Sequence, residues 1–321
     1  MINRGKYNIE SYAHILNTDR SILKLNPIIE HFGYSFICVT ASEFEKEFSE
    51  ILNIPKNTER KLTIIIGREQ HGISHEMHHA LIHNPVFGLR FMHMEYPEII
   101  LLKKNENFEL TGDFYDTSIE MNAFTSFHSF VSDLLLQLRL QKAGEIYCSQ
   151  SFQITSETRQ ISFRRFEISI GSFGDYILND DDVNVLSKIL KPNFESNSLT
   201  ELAVKNFNIV YNLPDGRIRF ITLMTCLESL FNQGKEQIAH TIARHLAIIL
   251  SKNKDEFIEN YTRTKKLYNT RNAIVHGSEH KGNLIEDYLD LAEKVRKAIN
   301  YCNKSELSKE GLFAELNTRG F

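Results

Sequence analysis

Three residues in the last third of the chain could act together on a phosphate ester. The segment "LYNTRNAIVHG" (267–277) contains Arg271, Asn272 and His276. On a helix, Asn272 and His276 would stand one turn apart on the same face. A histidine can take or give a proton near neutral pH, and a guanidinium can neutralise charge that develops on a phosphate. Such a constellation suits phosphodiester cleavage that needs no metal or cofactor, whereas capping of a helix end is the structural alternative that the spacing alone allows equally.

Basic residues precede this motif and could attract RNA to it. Arg263, Lys265 and Lys266 lie within three turns before Arg271. Cations in such a position can contact RNA phosphates, although a solvated helix face has the same composition. Tyr268 could stack on a base or belong to the helical core. The three cations are therefore candidate RNA-binding residues.

A histidine-rich segment suggests a different chemistry. In "SHEMHHALIH" (74–83), His75, Glu76 and His79 form the pattern His-Glu-x-x-His. On a helix the two histidines could bind zinc while Glu76 activates a water molecule. However, Ser74 is suited to cap a helix and Pro85 to end it about two turns later, which is short for a metalloprotease helix. A zinc hydrolase remains an alternative, and a polar surface that recognises a ligand or partner is favoured over it.

The elements around the Arg-Asn-His motif are predicted to be helical from residue 198 onward. Apolar residues recur at three- and four-residue steps, and glycines and a proline separate the stripes. This periodicity predicts five or six helices in an all-α bundle, with Gly277 ending the helix that carries the motif as a left-handed cap. A capped short helix is predicted within 176–197, ending near Pro192. The stripes comprise Leu223, Leu227, Leu230 and Phe231; Ile238, Ile242, Leu246 and Ile249; and Leu284, Tyr288, Leu291, Val295 and Ala298.

The first half of the chain instead contains segments rich in the β-branched and aromatic residues that are typical of strands. Between the third and fourth predicted strands, Phe124, Phe127, Phe130 and Leu134 recur at helical spacing, which predicts one long helix with an apolar face. We therefore predict an α+β protein with a mixed α/β domain over 1–175 and a helical domain over 176–321. The segments rich in β-branched and aromatic residues are 34–40, 61–67, 98–103, 145–154 and 161–171.

Bulk composition limits the classes of function. The 321 residues carry a formal net charge of -4, so contact with nucleic acid must come from a local basic patch. The four cysteines form no Cys-x-x-Cys pair, which argues against a zinc ribbon and a disulfide scaffold. No window approaches the length of a membrane span, and the N-terminus lacks the pattern of a secretory signal. The expected location is the cytoplasm, without contact with a membrane.

The segment "LYNTRNAIVHG" resembles the signature of HEPN domains, in particular the Apea-like branch found in bacterial defence proteins. Arg271, Asn272 and His276 match the family's Arg-x4-6-His motif, with a polar residue after the arginine. The segments "FITLMTCLESLF" (220–231) and "AHTIARHLAIIL" (239–250) are similar to two other helices of that branch. The resemblance covers about 176–304, and it implies a compact all-α HEPN-like bundle.

The resemblance also implies an activity and a partner. Catalytic HEPN proteins are metal-independent endoribonucleases that dimerise and bring two motifs to one cleft. His276 would then be the acid or base, Arg271 would stabilise phosphate charge, and Asn272 would orient one of them or the phosphate. Glu228 would hold Arg271 in place or cap a neighbouring helix.

The implied biological role is a toxin-like or antiviral effector that acts on RNA as a homodimer or higher homo-oligomer. A regulatory protein or ligand would act at the N-terminal domain. The alternative is a non-catalytic HEPN module that binds RNA or a protein partner.

Overall fold

The computed structural model describes residues 5–48, 98–110, 117–155, 161–165, 174–232, 234, 237–278 and 282–320. Contacts within the chain divide these residues into two compact units. The sheet unit holds the described residues up to 135, together with 146–155, 161–165 and 175–193. The helical unit holds 136–145, Gly174 and the described residues from Phe194 onward.

The sheet unit is built on a five-stranded antiparallel sheet. Its strands are β1 (Gly5–Leu16), β2 (Tyr34–Val39), β3 (Ile99–Leu110), β4 (Tyr147–Thr155) and β5 (Ile161–Arg165). Their order across the sheet is β2-β3-β1-β4-β5, and every pairing is antiparallel. The strands predicted within 34–40, 98–103, 145–154 and the start of 161–171 are confirmed. The strand predicted at 61–67 lies outside the described residues.

The central strand β1 was not predicted from the sequence. It pairs with β3 along one edge and with β4 along the other, and its second half is buried without interruption. The register with β4 shifts between His14 and Ile15. Polar and apolar residues alternate over residues 6–10, but both faces are buried from Ser11 to Leu16, so the strand as a whole does not show the alternation of a half-exposed strand.

The helices of the sheet unit are α1 (Asn26–Ile29), α2 (Ala41–Phe48), α3 (Thr117–Gln141) and α4 (Asp180–Ile189), with short 3-10 turns at Arg20–Leu25 and Glu30–Phe32. The long helix α3 confirms the predicted apolar helix, and residues 136–141 of it belong to the helical unit. The Phe130 ring stacks on Tyr34 of β2, with centroids 3.5 Å apart. Helix α4 begins at a capping box between Asn179 and Asp182 and ends before Pro192, as predicted.

The helical unit consists of α5 (Glu201–Val210), α6 (Gly216–Phe231), α7 (Ile238–Leu250), α8 (Lys254–Val275), α9 (Leu284–Asn303) and α10 (Lys309–Thr318). These six helices confirm the predicted change to helical structure in the described part of the chain after residue 198. Most residues of the predicted stripes are buried, and Leu223, Leu227 and Leu230 are fully so. The chain is therefore of the α+β class. Among the described residues, no helix has the length and apolar character needed to cross a membrane.

Candidate functional site

The candidate site lies at the C-terminal end of helix α8. The helix ends at Val275, and His276 occupies the C-cap position. Gly277 has φ of 69°, in the left-handed region that glycine adopts without a steric penalty. The Ser278 amide donates to the Ala273 carbonyl at 2.8 Å, and the Gly277 amide donates to the Ile274 carbonyl at 3.2 Å. These two bonds form a Schellman motif, which confirms the predicted left-handed cap at Gly277.

Arg271 lies at the centre of a small polar cluster between α8 and α6. One of its terminal nitrogens is 3.4 Å from Glu228 Oε1, and the other donates to Asn272 Oδ1 at 3.4 Å. The guanidinium carbon lies 5.8 Å from the centre of the Tyr268 ring. The buried Arg271 Nε and Glu228 Oε1 have no hydrogen-bond partner among the described residues. Because charge-assisted hydrogen bonds are normally about 2.7–2.9 Å long, Arg271 is held loosely in this arrangement.

Tyr268 is packed inside this cluster. Its side chain is buried, and burial raises the pKa of its hydroxyl, as does the negative charge of Glu228. The positive charge of Arg271 acts in the opposite direction on that pKa. The sequence left two roles open for Tyr268, stacking on a base or packing in the helical core. Its buried position fits packing in the core.

His276 is the most accessible member of the motif. Its side chain is exposed, and its ring has no hydrogen bond or ion pair with the described residues. Asn272 is half-buried and lies one turn before it, and the Asn272 carbonyl accepts the His276 amide hydrogen at 3.0 Å. An accessible imidazole at a fixed helix end can exchange protons with a bound ester.

The three predicted RNA-binding cations have different surroundings. Arg263 donates to Asp290 at 2.6 Å and pairs with Asp287 at 2.8 Å. Lys266 is exposed on an open groove of about 530 Å³ that is also lined by Arg263 and Asp290. The Lys265 ammonium lies 5.6 Å from the centre of the Tyr261 ring.

The two aspartates that engage Arg263 are residues that the sequence analysis missed. Asp287 is buried and also accepts from the Thr270 hydroxyl, and Asp290 is paired with Lys294 one turn later. The i,i+4 spacing of Asp290 and Lys294 was the available signal, but the pairing with Arg263 joins two different helices.

The alternative zinc site at His75, Glu76 and His79 lies outside the described residues. Among the residues that the structure describes, no group of three histidine, cysteine, aspartate or glutamate side chains is placed to hold a metal ion.

Comparison of the chain with protein-family models, with curated proteins and with solved structures finds no match. The resemblance to HEPN domains is therefore carried by the residues quoted above.

Proposed function

We propose that this protein is a metal-independent endoribonuclease of the HEPN type. The observation that carries the proposal is the placement of Arg271, Asn272 and His276 at one capped end of α8, with the histidine exposed. These groups provide a proton carrier, a cation and an amide within one turn and a half of helix. The HEPN assignment, the composite dimeric site and a role as a toxin-like or antiviral effector all belong to this proposal.

In the proposed reaction the ribose 2′-oxygen attacks the adjacent phosphorus and the 5′-oxygen leaves. His276 takes the proton of the 2′-hydroxyl or supplies a proton to the leaving oxygen. Arg271 stabilises the negative charge of the phosphorane, and Asn272 orients Arg271 or the phosphate. The products are a 2′,3′-cyclic phosphate and a 5′-hydroxyl.

The two proton transfers suggest why the active form would be a homodimer. One step needs a base and the other needs an acid, and each chain supplies one His276. A symmetric dimer would bring a second copy of the same surface to the substrate. Lys265 and Lys266 would then contribute phosphate contacts near the cleft.

The test is cleavage of total cellular RNA by the wild-type protein and by His276→Ala in the presence of EDTA. The matched control is His31→Ala, which removes an exposed histidine of the sheet unit. We expect wild type and His31→Ala to produce cyclic-phosphate ends, and His276→Ala to lose cleavage by at least about a hundredfold. Equal cleavage by all three proteins, or cleavage that EDTA abolishes, would contradict the proposal.

A second candidate function is a non-catalytic module that binds RNA or a protein partner. It is favoured by the contacts of Arg271 with Glu228, Asn272 and Tyr268, because an arginine engaged within its own chain can serve structure. For an RNA-binding module, we expect no cleavage under any condition. RNA binding, measured by retention on a filter, should weaken in the double variant Lys265→Ala, Lys266→Ala. Cleavage that depends on His276 would exclude this function.

A further inference from the structure

One row of side chains across the sheet unit is polar although two of its three members are buried. Ser11 on β1 pairs directly with Gln153 on β4 and with Lys104 on β3. Ser11 and Gln153 are only 1% and 3% exposed. Directly paired residues project to the same face of a sheet, so these three side chains lie next to one another.

Three polar atoms around this row are unpartnered. Ser11 Oγ, Gln153 Nε2 and Glu106 Oε2 are buried and have no hydrogen-bond partner among the described residues. The other Glu106 oxygen is paired with Lys104 Nζ at 2.8 Å. A buried polar group without a partner is costly, and folded proteins contain few of them. Three in one patch, two of them on nearly fully buried side chains, point to a ligand that supplies the hydrogen bonds.

The first turns of α3 cover this patch. Glu120 accepts a hydrogen bond from the Thr155 hydroxyl, and the His128 ring is 2.9 Å from the Ser151 hydroxyl. Gln153 lies midway between Ser151 and Thr155 on the same face of β4, so it lies beneath the helix between these two contacts.

The covering part of α3 buries little of its own surface. No side chain in 118–126 is buried, whereas most side chains from Phe127 to Leu140 are. Helical turns that bury little apolar surface open at a low free-energy cost. We call residues 118–126 the cover.

We propose that Ser11, Gln153 and Glu106 form a binding site for a small neutral molecule with a lactam or imide edge, which enters when the cover opens. Such an edge presents an N–H beside a carbonyl. The carboxylate of Glu106 accepts from the N–H, and the amide nitrogen of Gln153 donates to the carbonyl. The Ser11 hydroxyl bonds the same carbonyl or a second one.

Charge and shape define the ligand further. Because Lys104 balances the charge of Glu106, the site favours a neutral molecule over an ion. Ile9 lies between Glu106 and Thr155 in the adjacent row, and its buried side chain gives an apolar floor for a flat ring. The site does not depend on the proposed ribonuclease activity.

The test is calorimetric titration of the full chain with three probes. Uridine carries an imide edge, glutarimide carries the same edge without ribose, and cytidine lacks the ring N–H. Binding of uridine and glutarimide would show that the edge is sufficient, and binding of uridine alone would assign a nucleoside. Binding of neither, or equal binding of cytidine, would overturn the proposal.

Two substitutions separate ligand binding from folding. Gln153→Met and Ser11→Ala each remove one unpartnered group and keep most of the side-chain volume. We expect each to weaken uridine binding by about tenfold and to leave the urea midpoint unchanged or higher. Unchanged affinity in both variants would overturn the site. Arg271→Ala serves as the control, because uridine bound at the candidate nuclease site would be lost in that variant alone.

The cover is tested by hydrogen exchange of the free and uridine-bound protein. We expect amides of 118–126 to exchange faster than those of 127–140 in the free protein, and to be slowed by uridine. Equal exchange of the two segments, with no effect of uridine, would overturn the role of the cover.

Discussion

Arg271 contacts three neighbours, and each contact is longer than a strong hydrogen bond. Glu228 and Asn272 are both 3.4 Å away, and Tyr268 lies beneath the guanidinium. A planar guanidinium can keep these neighbours and still present N–H groups to a phosphate in a forked geometry. A lysine would keep the charge, but its single ammonium group lacks the planar fork of N–H groups that could contact these neighbours and a phosphate together.

We therefore expect Arg271→Lys to lower RNA cleavage by about ten- to a hundredfold while changing the free energy of unfolding by less than about 1 kcal/mol. Arg217→Lys, at an exposed position on α6, is the matched control and should change neither quantity. Initial cleavage rates and urea titrations measure the two effects. Full activity of Arg271→Lys would show that charge alone is sufficient at this position.

His14 is a buried histidine whose role was not apparent from the sequence. Its Nδ1 lies 2.7 Å from the Ser149 hydroxyl, where the register of β1 and β4 shifts. Burial lowers the pKa of His14 from 6.5 to about 3. The unfolded chain therefore takes up a proton as the pH falls below 6.5, and the folded protein does not until about pH 3. Stability from this group is present above pH 6.5 and is lost as the pH falls.

The corresponding prediction concerns His14→Gln, which cannot titrate. Relative to wild type, the variant should become more stable by about 2–3 kcal/mol on going from pH 7 to pH 4.5, because only wild type loses the His14 contribution. Urea unfolding at the two pH values measures this difference, and His31→Gln, at an exposed position, should not show it. A His14→Gln destabilisation that is the same at both pH values would contradict the assignment.

At the scale of elements, periodicity identified helices better than strands. The stripes that place Leu227 or Leu291 in the core repeat over many turns, and they predicted α6 and α9. Strand β1 was missed because both faces of its second half are buried and because Ser11 and His14 lie there among apolar residues. Its place at the centre of the sheet is decided by pairing with distant strands, which local composition does not encode.

The geometry of the candidate site could likewise be predicted only where local sequence determines it. The helix end at Gly277 follows from local sequence, so the positions of Asn272 on α8 and of His276 at its C-cap could be predicted. The pairing of Arg263 with Asp287 and Asp290 could not, because α8 and α9 meet only in the folded unit. Charge spacing within one helix gives no information about such contacts.

The Schellman motif gives an element-scale prediction. Gly277→Ala should destabilise the protein by about 1 kcal/mol, because alanine is strained at φ of 69°, and it should lower RNA cleavage by moving His276. Gly277→Asn should retain more of the stability and more of the RNA cleavage, because asparagine tolerates the left-handed region. Gly216→Ala, at the first position of α6, is the control. An added Cβ meets as much open space there as at Gly277, and the φ of Gly216 is not positive, so this substitution should leave stability and cleavage unchanged. Thermal unfolding and cleavage assays compare the three variants.

At the scale of the whole molecule, the chain combines a helical unit that carries the proposed ribonuclease site with a sheet unit that carries the proposed site for a neutral ligand. The net charge of -4 gives no general attraction to RNA, so binding would depend on cations near α8 such as Lys265 and Lys266. Substitution of these two residues should reduce the salt dependence of RNA binding, whereas uridine binding at the proposed site of the sheet unit should be insensitive to salt.

The proposed composite site gives the prediction that depends on assembly. If each active dimer needs His276 from both chains, a dimer with one His276→Ala chain is inactive. Equal mixing of the two chains by co-expression would leave about a quarter of the dimers active, whereas independent monomers would retain about half of the activity. The measurement is the cleavage rate per total chain as the mutant fraction rises, with His31→Ala as the neutral partner. A linear decrease would show that one chain holds the complete site, and a quadratic decrease would support the shared cleft.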